Sequence, residues 1–198
     1  MKTHNTHSST HNGSRRGPLP RRRRPRTTGR PRRHDAPLPV ADTTHPPYEP
    51  SIFDPAPVPF ERLGLDERLL SGIRDLGWDA TRSVQSGVIP LALSSADVIA
   101  CAETGTGKTA AFLVPILQRF LHEAIPPQPR TRALVLAPTR ELAVQIEDQV
   151  QGLTYHTTIS SIAVYGGVAM DMQERALRAG ADIVVATPGR LMDHMRHD

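Results

Sequence analysis

The stretch AETGTGKT, residues 102–109, decides the fold of this chain of 198 residues. It follows a short apolar run and opens a segment with helical spacing. Its glycines let the backbone curve around phosphate groups, and successive N–H groups at a helix start favour negative charge. Lys108 is expected to reach the β- and γ-phosphates of a nucleotide, and the Thr109 hydroxyl to hold Mg²⁺. The stretch therefore predicts a phosphate-binding loop between a strand and a helix, with Ala102 in place of the usual first glycine.

Four apolar runs in the second half of the chain are short and nearly continuous. They lie at residues 98–101, 133–137, 162–165 and 183–186. A continuous apolar run is typical of a parallel strand that is buried on both faces. Helical stretches separate the runs. The alternation predicts an α/β domain with a parallel sheet.

Two helical signals support this prediction. Upstream of the first run, large aliphatic residues recur at helical spacing from residue 63 to residue 76, which predicts one or two helices ending at Gly77. Between the second and third runs, one helix face carries a continuous apolar stripe. The stripe consists of Leu142, Ile146, Val150 and Leu153.

Each of the three later strands is followed by a polar or glycine-containing cluster. These clusters are Pro138-Thr139-Arg140-Glu141, Gly166-Gly167 and Thr187-Pro188-Gly189-Arg190. Ligands of open α/β sheets bind at the carboxyl ends of the strands, so the clusters are expected to share one edge with the phosphate loop. Their hydroxyls, bare backbone and arginines suit a sugar-phosphate chain. For any single cluster the alternative is an ordinary turn or a helix cap.

The first 57 residues differ from the rest. They contain 11 Lys or Arg against four acids, a net charge of +7, whereas residues 58–198 carry a net −3. Twelve of the 19 prolines lie within the first 59 residues. Such a segment cannot bury enough apolar surface to offset its ordering entropy, so we expect a disordered tail. It can attract phosphate backbones without sequence preference; the alternative is a solubilising tail.

The cysteine count and the hydropathy of the sequence bear on where in the cell the protein is expected. Cys101 is the only cysteine, so no internal disulfide is possible, and a reducing, cytoplasmic location is expected. No stretch approaches the roughly 18 apolar residues that a membrane span needs. The amino-terminal segment lacks the apolar core of a secretory signal.

Residues 60–198 resemble the first RecA-like domain of DEAD-box RNA helicases, particularly those of bacteria. Motif I of that family is matched by residues 102–109, motif Ia by residues 138–143, the GG motif by Gly166-Gly167 and motif Ib by residues 187–190. The resemblance implies a partial RecA-like P-loop domain that binds ATP with Mg²⁺ and contacts RNA. The implied RNA-binding residues are Pro138, Thr139, Arg140, Gly166, Gly167, Thr187, Pro188, Gly189 and Arg190.

Phe60 and Gln85 resemble the Q motif of the family, which reads adenine. An amide can pair with adenine N6 and N7 through its acceptor and donor. The Pro-Thr-Pro-like run that usually precedes the glutamine is replaced here by Thr81-Arg82-Ser83-Val84. The residues implied to bind ATP are Phe60, Gln85, Thr104, Gly105, Thr106, Gly107, Lys108 and Thr109, with Thr109 also facing Mg²⁺.

The carboxylates of the family's motif II are not matched within the 198 residues. In the family, an Asp-Glu pair at the end of a further strand holds Mg²⁺ and activates water. We therefore expect a piece of the first domain in which Lys108 and Thr109 contribute to an incomplete catalytic site. Two other readings remain: a DNA helicase or another P-loop ATPase, and a non-enzymatic RNA-binding module. The RNA substrate and the oligomeric state are not determined by the sequence.

Overall fold

A computed structural model describes residues 56–197 of the chain. The predicted disordered tail, residues 1–57, falls almost entirely outside this range. The described elements are a 3-10 helix (Phe60–Leu63), α1 (Glu67–Asp75), α2 (Ser83–Leu93), α3 (Lys108–His122), β1 (Ala133–Leu136), α4 (Arg140–Thr154), β2 (Ser161–Val164), α5 (Met170–Ala179), β3 (Ile183–Ala186) and α6 (Pro188–His197).

The strands form one parallel sheet in the order β1-β3-β2. Ala133 and Ser161 both align with Ile183, and the register continues without a bulge to Ala186. Parallel neighbours need crossover connections, and here α4, α5 and the loops between elements provide them. The predicted α/β architecture with a parallel sheet is confirmed.

Helices cover both faces of the central strand β3, all four residues of which are buried. Ile183 and Val185 belong to the main hydrophobic cluster, which also contains residues of α1, α3 and α4. Val184 and Ala186 point to the opposite face, where Leu177 of α5 and a residue of α6 pack. This two-sided burial is the arrangement that the continuous apolar run predicted.

The prediction of the first of the four strands was wrong. Residues 98–101 have no strand pairing within the described residues. Ile99 is 80% exposed. An apolar cavity of about 690 Å³ lies beside this segment, and its walls include Val98 and Ala100 as well as Ala133 and Val135 of β1. A β-strand requires a hydrogen-bonding neighbour about 4.8 Å away, and residues 56–197 offer none to this segment.

Burial on both faces was also predicted for β1, and this prediction was wrong for two of its residues. Leu134 and Leu136 are 51% and 57% exposed. The reason is position: β1 pairs only with β3, so it forms one edge of the described sheet. A continuous apolar run does not distinguish a central strand from an edge strand.

The two helical predictions are confirmed. Gly77, with a φ of 70°, follows the last residues of α1, and in α4 the stripe residues Ile146, Val150 and Leu153 are buried. Asp66 caps α1: its Oδ1 accepts from the Arg68 backbone N at 3.0 Å. The side-chain hydrogen bonds from Arg68 lower the pKa of Asp66 to about 2.

Within residues 56–197, no helix combines the length and the apolar character needed to cross a bilayer. Cys101, the single cysteine, has a free and exposed thiol.

Candidate functional site

The phosphate-loop segment lies against a cavity of about 860 Å³, here called the P-loop cavity. Its lining residues come from the loop before α2, from the phosphate loop with the start of α3, and from one side of α4. They are Gly77, Trp78, Asp79, Ala80, Arg82, Gln85, Thr104, Gly105, Gly107, Lys108, Thr109, Ala110, Leu142, Gln145 and Gln149. The neighbouring cavity also borders Lys108 and Thr109, but the P-loop cavity in addition borders Arg82, Gln85 and the glycines of the loop.

Two glycines give the loop its shape. Gly105 and Gly107 have φ angles of 81° and 91°, a region that L-residues with a side chain rarely adopt. A Cβ at Gly105 would meet nothing within 4 Å, so open space lies above the backbone there. A Cβ at Gly107 would collide with the amide of Gln85. The loop thus has open space for an incoming group at Gly105 and close packing at Gly107.

The helix start offers donors to an anion. Gly107 is the N-cap of α3 and supplies no side-chain cap, so the first N–H groups of the helix keep their capacity for a phosphate. Lys108 Nζ donates to the carbonyl oxygens of Ala102 and Glu103, at 2.5 and 2.6 Å. The ammonium therefore lies inside the curve of the loop. Thr106 Oγ1 also donates to Glu103 O, at 2.8 Å, and stabilises the turn.

Gln85 is 5% exposed and joins α2 to the phosphate loop. Its Oε1 accepts from the Arg82 backbone N at 2.8 Å, and its Nε2 donates to Gly107 O at 3.1 Å. An amide has two acceptor lone pairs and two N–H groups, so each end retains capacity for one further bond. The structure therefore places Gln85 at the P-loop cavity and shows it supporting the loop; the reading of adenine by Gln85 stays a prediction.

Phe60 is placed differently from Gln85. Its ring is 1% exposed and belongs to the main hydrophobic cluster, and it is not among the residues that line the P-loop cavity. Backbone bonds hold its segment against the loop before α2, because Thr81 N donates to Val58 O at 2.8 Å. Phe60 supports that loop from the core; direct contact with a base stays a prediction.

Sequence reasoning missed several residues of the cavity, notably Trp78, Arg82 and Gln149. Arg82 Nη1 donates to Gly105 O, so a second cation lies beside the phosphate loop. Gln149 Oε1 is buried without a hydrogen-bond partner, which makes it the only such side-chain atom in residues 56–197. A signal existed for Arg82, which lies three residues before Gln85 at the capping position of α2. For Gln149, on the opposite wall, there was none.

The three later clusters share the carboxyl edge of the sheet, as predicted, whereas the phosphate loop, which was expected at the same edge, does not follow a strand of the described sheet. Thr139 is the N-cap of α4 and accepts from Leu142 N at 3.3 Å, so its hydroxyl serves the helix. The Arg140 guanidinium lies over the ring of Tyr165, 5.0 Å from its centroid, which connects the first cluster to the second. Pro138 precedes the cap and is exposed.

The third cluster is hydrogen-bonded to residues on both sides of the second. Thr187 N donates to Val164 O at 2.9 Å, and Arg190 Nη1 donates to Val168 O at 3.0 Å. Gly166 and Gly189 are exposed, with open space where a Cβ would lie. The remaining members are Gly167, with a φ of 88°, and Pro188, at the first position of α6 where proline is favoured.

The arginines at the two ends of the sheet have different partners. Arg132, at the amino end of β1, is paired with Glu123 at 3.1 Å and Asp182 at 3.6 Å. Arg140 and Arg190, at the carboxyl edge, form no ion pair with any carboxylate in the described part of the chain. The carboxyl edge therefore presents positive charge that a bound anion can neutralise.

Helix α4 connects the two halves of the site. Its first residue, Arg140, lies on the carboxyl edge, whereas Leu142, Gln145 and Gln149 line the P-loop cavity. A shift of this helix would change both the P-loop cavity and the carboxyl edge.

A metal ion at this site would need coordinating atoms from a bound nucleotide and from water in addition to those of the protein. Residues 56–197 contain no group of three His, Cys, Asp or Glu side chains that could bind one. Thr109, which lines the P-loop cavity, offers a single hard oxygen. That oxygen fits Mg²⁺, which binds through few protein ligands together with phosphate oxygens and water.

Comparison with known proteins assigns this sequence to a family. The model of the DEAD/DEAH box helicase family matches residues 82–198, more than half of the chain. The match includes the phosphate loop and all three clusters of the carboxyl edge.

Similar curated proteins come from bacteria, fungi and mammals. The chain is 46% identical over 138 residues to "ATP-dependent RNA helicase DeaD" of Escherichia coli K12, covering 69% of this chain and 21% of that protein. It is 44% identical over 138 residues to "ATP-dependent RNA helicase drs1" of Schizosaccharomyces pombe, covering 70% and 18%. The chain thus spans about a fifth of the length of these relatives.

A crystal structure of a DEAD box protein from Methanococcus jannaschii superposes with a TM-score of 0.63 at 36% identity, over 70% of this chain and 37% of that one. The crystal structure of a hypothetical ATP-dependent RNA helicase from Sulfolobus tokodaii superposes with a TM-score of 0.60 at 37% identity, over 67% of this chain and 37% of that one. The family model, the similar sequences and the similar folds agree, and the chain belongs to the DEAD/DEAH box helicase family.

Proposed function

We propose that this chain is the nucleotide-binding and RNA-contacting part of an ATP-dependent RNA helicase, with residues 58–198 forming part of its first RecA-like domain. The observation that carries the proposal is the position of α4, which borders both the P-loop cavity and the carboxyl edge. The names of the similar proteins, which include ATP-dependent RNA helicases, support the same activity. In the longer protein, ATP hydrolysis would be coupled to separation of RNA strands.

ATP would bind with its phosphates on the loop between Gly105 and Thr109. Lys108 would leave the carbonyls of Ala102 and Glu103 to contact a phosphate, because a charge-assisted bond to a phosphate oxygen is stronger than one to a neutral carbonyl. The Thr109 hydroxyl would contribute to holding Mg²⁺, which would neutralise phosphate charge. The remaining hydrogen-bonding capacity of Gln85 would select adenine.

RNA would bind along the carboxyl edge through its sugar-phosphate backbone. Arg140 and Arg190 supply positive charge without a carboxylate partner, and Gly166 and Gly189 expose backbone with open space above it. Contacts of this type position a nucleic acid without reading its sequence. The proposed interface therefore binds many RNAs with similar affinity.

The experiment that tests this function uses the full chain, a fluorescent ATP analogue and a short unstructured RNA. We expect saturable, Mg²⁺-dependent nucleotide binding, and RNA binding that weakens as salt rises. We also expect phosphate release at background, because hydrolysis needs a carboxylate to orient water and a cation on the developing charge. Glu103 lies in the loop itself, and Glu141 is in the first turn of α4, where an acid is a common structural choice.

Failure to bind the nucleotide would contradict the proposed ATP site. Phosphate release near the roughly 1–100 s⁻¹ of kinases would show that this chain already contains the water-orienting acid. RNA binding without any nucleotide binding would favour the alternative of a non-enzymatic RNA-binding module.

We further propose that residues 1–57 act as an electrostatic tether for RNA. Their net charge of +7 motivates this role. Deleting them should weaken binding of all RNAs by a similar factor and reduce the dependence of affinity on salt. A change in which RNA is preferred would contradict a tether and indicate sequence readout.

A further inference from the structure

One polar side chain is buried where the pattern of its helix gives no reason for it. Gln173 is 5% exposed and is the only fully buried residue of α5. It lies one turn before Leu177, which packs on the second hydrophobic cluster. An apolar residue could occupy this position without hydrogen bonds, whereas a buried amide is stable only if its groups are paired.

The amide of Gln173 is paired with two different clusters of the carboxyl edge. Its Nε2 donates to Tyr165 O at 3.0 Å, directly before the Gly166-Gly167 turn. Its Oε1 lies 3.4 Å from Arg190 Nη1 and 3.1 Å from Nε2 of the buried His194. All three contacts are internal to the folded unit.

The chemistry of these partners fixes the orientation of the amide. A guanidinium has only donors and a backbone carbonyl has only acceptors, so rotating the amide by 180° would oppose donor to donor and acceptor to acceptor. His194 must therefore donate through its Nε2. Gln173 is the single acceptor shared by Arg190 and His194.

The same network fixes the second cluster from both sides. Tyr165 O is bound by Gln173, and Val168 O is bound by Arg190 Nη1 at 3.0 Å. These carbonyls flank the Gly166-Gly167 turn. Both known bonds of the Arg190 guanidinium use Nη1, and a guanidinium has five N–H donors, so others stay available to an external anion.

We propose that Gln173 is a positioning residue for RNA binding, which orients Arg190 and fixes the Gly166-Gly167 turn so that both meet the same phosphate backbone. This inference rests on the proposed RNA interface and adds to it a residue that does not itself touch RNA. A glutamine in this position joins two loops that an apolar residue could only pack against.

The test compares Gln173→Met with wild type in the full chain, measuring the affinity for a short unstructured RNA at several salt concentrations. Methionine keeps the length and the helix propensity but removes both hydrogen-bonding groups. We expect RNA binding to weaken roughly three- to tenfold, because the variant loses the net contribution of about one hydrogen bond or slightly more. We also expect the slope of log affinity against log salt to fall by about one. Met172→Leu, on the exposed side of the same helix, is the matched control and should change neither quantity.

A double-mutant cycle distinguishes positioning from general packing. If Gln173 acts in part through Arg190, then Gln173→Met should have a smaller effect in an Arg190→Ala background than in wild type, because interacting residues are not additive. The remaining effect would reflect the bond of Gln173 to Tyr165 O beside the turn. Affinity for the ATP analogue should be the same in all variants. A parallel loss of nucleotide affinity in Gln173→Met would indicate general unfolding and would overturn the inference.

Two further outcomes would also overturn it. RNA binding by Gln173→Met with wild-type affinity and slope, while Arg190→Ala is weakened, would leave the proposed RNA interface intact and remove the role of Gln173. If Arg190→Ala itself binds RNA like wild type, the proposed interface fails at Arg190, and there is no contact for Gln173 to position.

Discussion

The phosphate-loop segment and the three-stranded sheet are predicted by the same sequence signal, yet only the sheet forms the strands that the signal predicts. In each of four places a short apolar run is followed by a polar or glycine cluster. Three of the runs pair as β1, β3 and β2. Residues 98–101 remain unpaired in the described structure, although the loop that follows them has two positive-φ glycines and opens helix α3.

The difference shows that the loop and its strand have separate causes. The loop is held by single side chains: Gln85 Nε2 donates to Gly107 O and Arg82 to Gly105 O, across 22 and 23 residues of chain, and Lys108 Nζ donates to the carbonyls at the start of the loop. A strand cannot be held by single side chains in this way, because its backbone groups need a neighbouring strand. The conformation of the loop therefore does not require residues 98–101 to pair as a strand.

The largest expected effect is that of Lys108→Ala on nucleotide binding. Losing charge-assisted hydrogen bonds worth about 1.5–3 kcal/mol should lower the affinity for an ATP analogue by one to two decades. RNA affinity should stay near wild type, because the carboxyl edge is unchanged. Fluorescence titration of both ligands measures this, with Arg175→Ala, an exposed cation of α5, as the control. Equal nucleotide affinities would rule out Lys108 as a phosphate ligand.

The reciprocal variant, Arg140→Ala, should weaken RNA binding and leave nucleotide binding unchanged. We expect a roughly fivefold loss, corresponding to about 1 kcal/mol for one exposed contact. The salt dependence should also become less steep, by about one phosphate contact. If Arg140→Ala changed nucleotide affinity as strongly as RNA affinity, the two regions would not be separable, and α4 would transmit the change between them.

One edge of β1 has no pairing strand within residues 56–197, and this predicts association between chains. Exposed apolar strand edges favour pairing with another strand, and a charge on the edge prevents it. Leu134→Lys should therefore shift the chain toward the monomer in size-exclusion chromatography at high concentration. Met172→Lys adds the same charge to an exposed apolar position on α5 and should not. A wild-type chain that is monomeric at all concentrations would contradict this prediction.

The smallest expected effect concerns Asp66 at the start of α1. Asp66→Ala removes a helix cap and should lower the free energy of unfolding by about 1 kcal/mol. The pKa of Asp66 is lowered to about 2 in the folded state, so its ionised form is the stabilising one. This contribution is present above the unfolded pKa of roughly 4 and is lost as the pH falls toward 2.

Thermal melts at pH 5 and pH 2 should therefore show a gap between wild type and Asp66→Ala that narrows at the lower pH. Asp148→Ala, at an exposed position of α4, is the matched control. A gap of constant size would mean that the ionisation of Asp66 is not the source of the cap's stability.

Much of the candidate site was predictable from the sequence because its determinants are local. Positive-φ glycines, a lysine and a threonine at a helix start define a phosphate loop within eight residues, and the parallel sheet aligned the later clusters on one edge. Gln173 was not predictable in the same way. A glutamine on an amphipathic helix resembles a solvent-exposed residue, and only the distance to Tyr165 and Arg190 shows its role.

The sequence by itself determined the class of fold, the phosphate loop and the order of the strands' polar clusters, because each depends on residue type and spacing within one segment. Only the tertiary structure decided which apolar runs become strands, that Phe60 is buried while Arg82 reaches the loop, and that α4 borders both halves of the site. Strand pairing, burial and shared hydrogen-bond acceptors depend on residues that are distant in the chain. Their positions are fixed only when the helices pack on the sheet.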